Sequence, residues 1–212
     1  MSDAEREAHR GLIRSIRARH PGFREAVLAD GLVTAAHRGE RGFRSKTDAV
    51  LQMLRLLWVT DAFGAQMLYR LKARLQAIGV PILPLLLHRL AMAISQVAVG
   101  DYTVMSPGVY FPHGQVVIDG ITEIGYGVVI APFVTIGLRA GDFQGPVIED
   151  HVHIGTGAKV IGPIRVGAGA TIGANAVVVS DVPPGSTAVG APARPGESAP
   201  ETASRGIADP PA

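Results

Sequence analysis

Cysteine is absent from the 212 residues. That removes disulfides, thiolate metal sites and cysteine nucleophiles, and it fits a cytoplasmic location. Charge of one sign is also missing: 20 Lys and Arg nearly balance 18 Asp and Glu, leaving +2. A dedicated nucleic-acid binder would carry a basic excess, so none is expected here. Long apolar runs are lacking as well. The most apolar stretch, Gln76 to Leu87, is interrupted by Pro81 and Pro84 and closed by His88 and Arg89. A membrane helix needs roughly 20 mostly apolar residues, so no span is expected. The first twenty residues hold five arginines and no apolar core, so no secretory signal is expected. Glycine is abundant at 26, but without a third-position period, so the chain is not collagen-like.

What is present divides the chain near residue 98. Residues 1–100 hold 15 Lys and Arg against 8 Asp and Glu, while 101–195 hold 4 against 7. Glycine runs the other way, with 7 in the first 99 residues and 19 afterwards. The first part reads as helical. Ser2 with Glu5 suggests a capping box, and Leu12, Ile13 and Ile16 recur at helical spacing until Pro21-Gly22 breaks the run. A second helix covers Phe23 to about His37. A third pattern begins near Ser45 or Thr47, carries Val50, Leu51, Leu54, Leu57 and Trp58, and continues through Leu68, Leu71 and Leu75 until Gly79. A last helix from about Ile82 puts Leu86, Leu90 and Ile94 on one side. The arginines between these stripes read as solvated faces. The tail from 195 to 212, rich in Pro, Ala, Ser and Glu, reads as disordered.

The second part contains an internal repeat. Cut in sixes from Ile118, the segments begin at Ile118, Ile124, Ile130, Ile136, Asp142, Ile148, Ile154, Val160, Val166, Ile172 and Val178. Ten of these eleven residues are Ile or Val at one fixed phase, which chance alternation in a sandwich does not produce. Neither a helix nor an alternating strand repeats in six. A triangular coil does, because three short strands return the chain to its starting face. The lead residue then fills the interior, the fifth residue sits near a corner, and coils stack at about 4.8 Å. Only the Asp142 hexad breaks the pattern. The phase resumes at Ile148, so Leu138–Gly145 reads as a loop bulging from the prism.

These hexads, the segment Gly155-Thr-Gly-Ala-Lys-Val-Ile-Gly-Pro-Ile-Arg-Val-Gly167, and the closing Asp181-Val-Pro-Pro-Gly-Ser-Thr-Ala-Val-Gly-Ala-Pro-Ala-Arg194 carry a family resemblance. From about Thr47 to Arg194 the chain resembles the hexapeptide-repeat acyltransferases, and among them the serine O-acetyltransferases of cysteine biosynthesis. The resemblance implies a helical N-terminal domain (1–98) followed by a left-handed parallel β-helix (99–194). It also implies acetyl-CoA as co-substrate, and homotrimers, sometimes paired, with active sites between neighbouring prisms.

The resemblance also assigns roles. His113, in Phe111-Pro-His-Gly-Gln-Val-Val-Ile118, matches the catalytic histidine, which takes the acceptor hydroxyl's proton. Carrying the hexad phase backwards makes Pro112 a lead residue, so His113 should point outwards. The family's orienting aspartate aligns with Ala98, and Asp101 is the carboxylate expected to replace it. The substrate-binding positions fall on Asp48 and Gln144, where the family carries acidic and basic side chains. Cofactor contacts fall on Leu138, Thr156, Thr171 and Arg194. His151 and His153 lack the five-residue spacing of the zinc-binding relatives, so no metal is expected. L-serine is the leading acceptor. A sugar or polysaccharide hydroxyl, and a non-catalytic β-helix scaffold, stand as alternatives.

Overall fold

A computed structural model describes residues 3–195, with side chains for 5–192. Five helices come first: α1 (Asp3–Ala18), α2 (Phe23–His37), α3 (Lys46–Val59), α4 (Phe63–Ala77) and α5 (Leu83–Ser95). From Val97 onward the chain winds as a left-handed β-helix with three parallel faces. The first face stacks Val97–Val99, Val116–Ile118, Thr135–Gly137, Lys159–Ile161 and Val177–Val178. The second stacks Val104–Met105, Ile121–Ile124, Gln144–Ile148 and Arg165–Val166. The third stacks Val129–Ile130, His153–Ile154, Thr171–Ile172 and Thr187–Gly190, and Ala193–Pro195 folds back antiparallel on its last strand. Residues 196–212 lie outside the described residues.

The six-residue phase has its physical cause in the interior. All ten Ile and Val lead residues are buried, and Ile118, Ile136, Val160 and Val178 form one inward column down the first face. Burying each such side chain is worth about 1.5–3 kcal/mol. Eighteen residues separate Ile118 from Ile136, and again Val160 from Val178, as three hexads per coil require. Twenty-four separate Ile136 from Val160. The surplus is one hexad, extruded as the loop at the first-to-second corner. Phe143 stands on it largely in solvent. Because the insertion is a whole hexad, the phase survives it.

The uppermost coil has a neighbour on one side only, so its other backbone polar groups need partners. Helix α4 supplies them. Gln66 Nε2 donates to Val109 O at 2.8 Å, Tyr69 O–H to Thr103 O at 2.8 Å, and Lys72 Nζ to Val99 O at 2.6 Å. Arg70 donates to Met105 O at 2.6 Å and Ser106 O at 2.7 Å, and grips Asp30 of α2 through Nε and Nη2 at 2.8 and 3.1 Å. Asp30 also accepts from Gly108 N at 2.8 Å. Burial raises the Asp30 carboxyl above its ordinary value even with Arg70 alongside. Arg70 therefore departs from the solvated-face expectation: it is buried because the end of the prism needs donors.

The continuous pattern expected from Ser45 to Gly79 is also corrected. It is two helices, α3 and α4, broken at Thr60–Ala62. Thr60 Oγ1 bonds back to Leu56 O at 2.7 Å and ends the first of them. The break matters for the site.

Candidate functional site

His113 lies at the corner where the third face turns into the first. The inward residues above it are Val99, Met105 and Phe111, all buried, and Pro112 is not the lead residue expected. Six residues separate each of these, but seven separate Phe111 from Ile118. The corner His113-Gly114-Gln115 thus holds one extra residue. Its shape is set by the end of α5. Gln115 N donates to Ser95 O at 2.9 Å, and Gln115 adopts a left-handed φ of 56°. A Cβ on Gly114 would come within 1.9 Å of the same carbonyl oxygen, so only glycine fits there. The extra residue pushes His113 outward, 60% exposed.

Its partner arrives from the helical region. The α3–α4 break delivers Asp61, whose carbonyl accepts from Ser95 Oγ and whose Oδ2 lies 2.7 Å from His113 Nδ1. An ionised carboxylate can only accept, so Nδ1 carries the proton, and in the neutral imidazole Nε2 then presents a lone pair. That arrangement fixes both tautomer and ring orientation. Beside the pair is a cavity of about 430 Å³ lined by Asp61, Ile94, Ser95, His113, Gln115, Pro132 and Phe133, among others. It joins a polar pair capable of proton transfer to an apolar wall.

Asp101 is not the carboxylate at His113. It lies at the first-to-second corner, where buried Lys72 donates to its Oδ1 at 2.8 Å. Burial alone would raise its carboxyl, but Lys72 and Gln76 hold it below the ordinary value. It lines a different cavity, of about 570 Å³, with Arg17, His88 and Asp119. Asp48 is likewise absent from the His113 cavity. Its Oδ2 accepts from Arg44 N at 2.8 Å and Gln52 Nε2 at 2.9 Å while its own N–H donates to Ser45 Oγ, a reciprocal helix start for α3. The Arg44 N–H, foremost, holds the Asp48 carboxyl below its ordinary range.

Gln144 and Leu138 flank the extruded loop at the first-to-second corner, with Leu138 against Gly120. Thr156 lies on the corner of His113, its carbonyl accepting from Asn175 N at 2.8 Å on the coil below. Thr171 is exposed on the third face between His153 and Thr187. Within one prism, then, Leu138 and Gln144 stand on one corner and His113 and Thr156 on another. His151 turns another corner with φ 57° and its ring against Tyr126, away from His153 on the third face. The Arg194 side chain lies outside the described residues. Asp61 was missed by sequence reasoning. Its one local signal was the Thr60-Asp61 pair, a helix-start signature inside an apparently continuous pattern.

Comparison with known proteins supplies the context for this geometry. Residues 145–180 match the family described as bacterial transferase hexapeptide (six repeats). A serine acetyltransferase of Helicobacter pylori is 42% identical over 143 residues, covering 66% of this chain and 83% of that protein. The structure of soybean serine acetyltransferase complexed with serine superposes with a TM-score of 0.69 at 32% identity, over 82% of this chain and 70% of that one. A serine acetyltransferase in complex with CoA gives 0.67 at 28% identity, over 88% and 74%. The repeat, the helical cap and the sequence agreement converge: this chain belongs to the serine acetyltransferase family of hexapeptide-repeat acyltransferases.

Proposed function

We propose that the protein transfers an acetyl group from acetyl-CoA to the hydroxyl of L-serine, with His113 as general base and Asp61 as the carboxylate that orients it. The 2.7 Å contact between His113 Nδ1 and Asp61 Oδ2 carries this reading, because it leaves Nε2 as the free acceptor of a ring that lines the cavity. Nε2 takes the serine hydroxyl proton while the hydroxyl oxygen forms a bond to the thioester carbonyl carbon. As the tetrahedral species collapses, the C–S bond breaks and the imidazolium returns the proton to the departing thiolate. Asp61 stabilises the imidazolium between these two steps. The relatives in complex with serine and with CoA support the substrate pair.

The active site is completed between copies in a homotrimer, alone or paired, with the helical domain running to about residue 98. Leu138 and Gln144 on one corner, and Thr156 on another, meet only if the extruded loop of one prism lies against the His113 corner of the next. Thr156, Thr171 and Leu138 would then line the path of the pantetheine arm. Dependence on acetyl-CoA fits a cytoplasmic enzyme.

The test is turnover of acetyl-CoA with L-serine by purified variants. His113→Ala is expected to lower kcat by roughly 10²–10⁴ with acetyl-CoA affinity unchanged. Asp61→Asn keeps the geometry but loses the charge that supports the imidazolium, and is expected to lower kcat by a smaller factor. Near-normal turnover by His113→Ala would sink the assignment, and a larger loss from Asp101→Asn than from Asp61→Asn would reverse the choice of carboxylate.

A further inference from the structure

The corner that carries His113 needs a residue in the left-handed region on every coil. Gln115 (φ 56°), Phe133 (63°), Gly157 (76°) and Asn175 (56°) occupy it in turn. Glycine and asparagine enter this region readily, whereas a bulky aromatic does so at a cost. The two lower coils use the tolerant residues, and the costly phenylalanine stands one coil below His113. Its backbone is held there by a bond from Phe133 N to Gln115 O at 2.8 Å and one from Lys159 Nζ to Phe133 O at 2.6 Å. The ring has no compensating place in the core, being 58% exposed. Nothing in the coil calls for it, since Gly157 makes the same turn without a side chain.

A strained residue retained beside a reactive pair points to use of its side chain. The Phe133 ring lines the cavity of His113 and Asp61, and with Pro132 and Ile94 forms its apolar wall. We propose that Phe133 is a specificity-determining residue: its ring limits the depth of the acceptor pocket, so that a hydroxymethyl side chain reaches His113 Nε2 and a longer hydroxyalkyl amino acid does not. The inference rests on the acetyl-transfer reading given above and adds to it the residue that sizes the acceptor.

The experiment compares kcat/KM for L-serine and L-homoserine, which is one methylene longer, in wild type, Phe133→Gly, Phe133→Asn and Phe133→Tyr. One methylene in a shaped pocket is worth roughly 10–200-fold. The serine preference is expected to fall at least tenfold in the glycine and asparagine variants and to persist in the tyrosine variant. Melting temperatures of the first two should equal or exceed wild type, because the strain is relieved, and their mass by light scattering should be unchanged. An unaltered serine preference in both small variants, with wild type active on serine, would overturn the inference alone. Loss of assembly in those variants would also overturn it, assigning the ring to a contact between copies. Failure of wild type to acetylate serine would overturn the parent reading and this one with it.

Discussion

The two regions of the molecule obey opposite sorting rules. In the prism, lead residues such as Ile154 and Ile172 are sealed inside, and among the described residues its buried polar side chains are only the hydroxyls of Thr103, Thr122 and Ser186. In the helical region Asp30, Gln66, Arg70 and Lys72 are buried, while Val50, Leu51, Leu54 and Trp58 on α3 stand in solvent, Trp58 91% exposed. The difference follows from what each region must satisfy. A stacked coil satisfies its own backbone through its neighbours and asks only for apolar filling. The end coil lacks a neighbour, so the helix that covers it must bring donors inward, and its companions' apolar stripes are left facing out. The same covering helices carry Asp61 to His113, which makes the helical region part of the candidate site as well as a cover for the end coil.

The sharpest way to break this contrast is to place the same charge in both regions. Ile154 is fully buried with its neighbours stacked above and below in register. Ile154→Asp puts a carboxylate among apolar side chains with no partner, at an expected cost of roughly 5 kcal/mol or more. Thermal and urea unfolding followed by circular dichroism should show loss of the folded prism. Wild-type melting would mean that the lead residues are not the interior.

The contrast also explains what the sequence could and could not reveal. The prism was legible because its constraint is local and repeated: an inward residue every six positions needs no knowledge of distant contacts. The extra residue at the His113 corner was not, because Gly114 answers to Ser95 O across the α5 junction, a contact invisible to periodicity. Stripe logic assigns Arg70 to water, whereas the end of a coil demands a donor. The pairing of His113 with Asp61 joins residues 52 apart through a break in what reads as one helix. Asp101 lies only three residues from Ala98 in sequence, but Lys72, four-carbon stem buried, claims it.

Acid offers a second, milder way to separate the regions, since the buried charges among the described residues lie on the helical side. His20 sits between α1 and α2 against Tyr69, and burial, aided by Arg70, Lys72 and Arg19, lowers its pKa from 6.5 to about 4. The folded state therefore resists a proton that the unfolded state accepts. Its contribution is present above pH 6.5 and lost as pH falls towards 4. Between pH 7 and pH 5 the loss should be on the order of 1–2 kcal/mol, allowing for partial solvent screening. Urea midpoints for wild type and His20→Gln at the two pH values provide the check. A glutamine variant that loses as much as wild type would remove His20 as the source.

The smallest expected effect on folding is the most telling for assembly. Leu54 of α3 is 58% exposed, with Val50, Leu51 and Trp58 on the same stripe. Leu54→Glu places a charge where water already reaches, so folding stability should change by no more than about 0.5 kcal/mol. A contiguous apolar stripe on a helix is nevertheless the feature expected of a surface that another copy covers. In the proposed trimer or pair of trimers, a glutamate there would have to be desolvated against apolar side chains. The variant should therefore keep its circular dichroism spectrum while light scattering reports a lighter assembly than wild type at equal concentration. Unchanged mass would leave the stripe to solvent. Unfolding as severe as that of Ile154→Asp would mean that the helical region sorts its residues as the prism does, and the contrast between the two would fall.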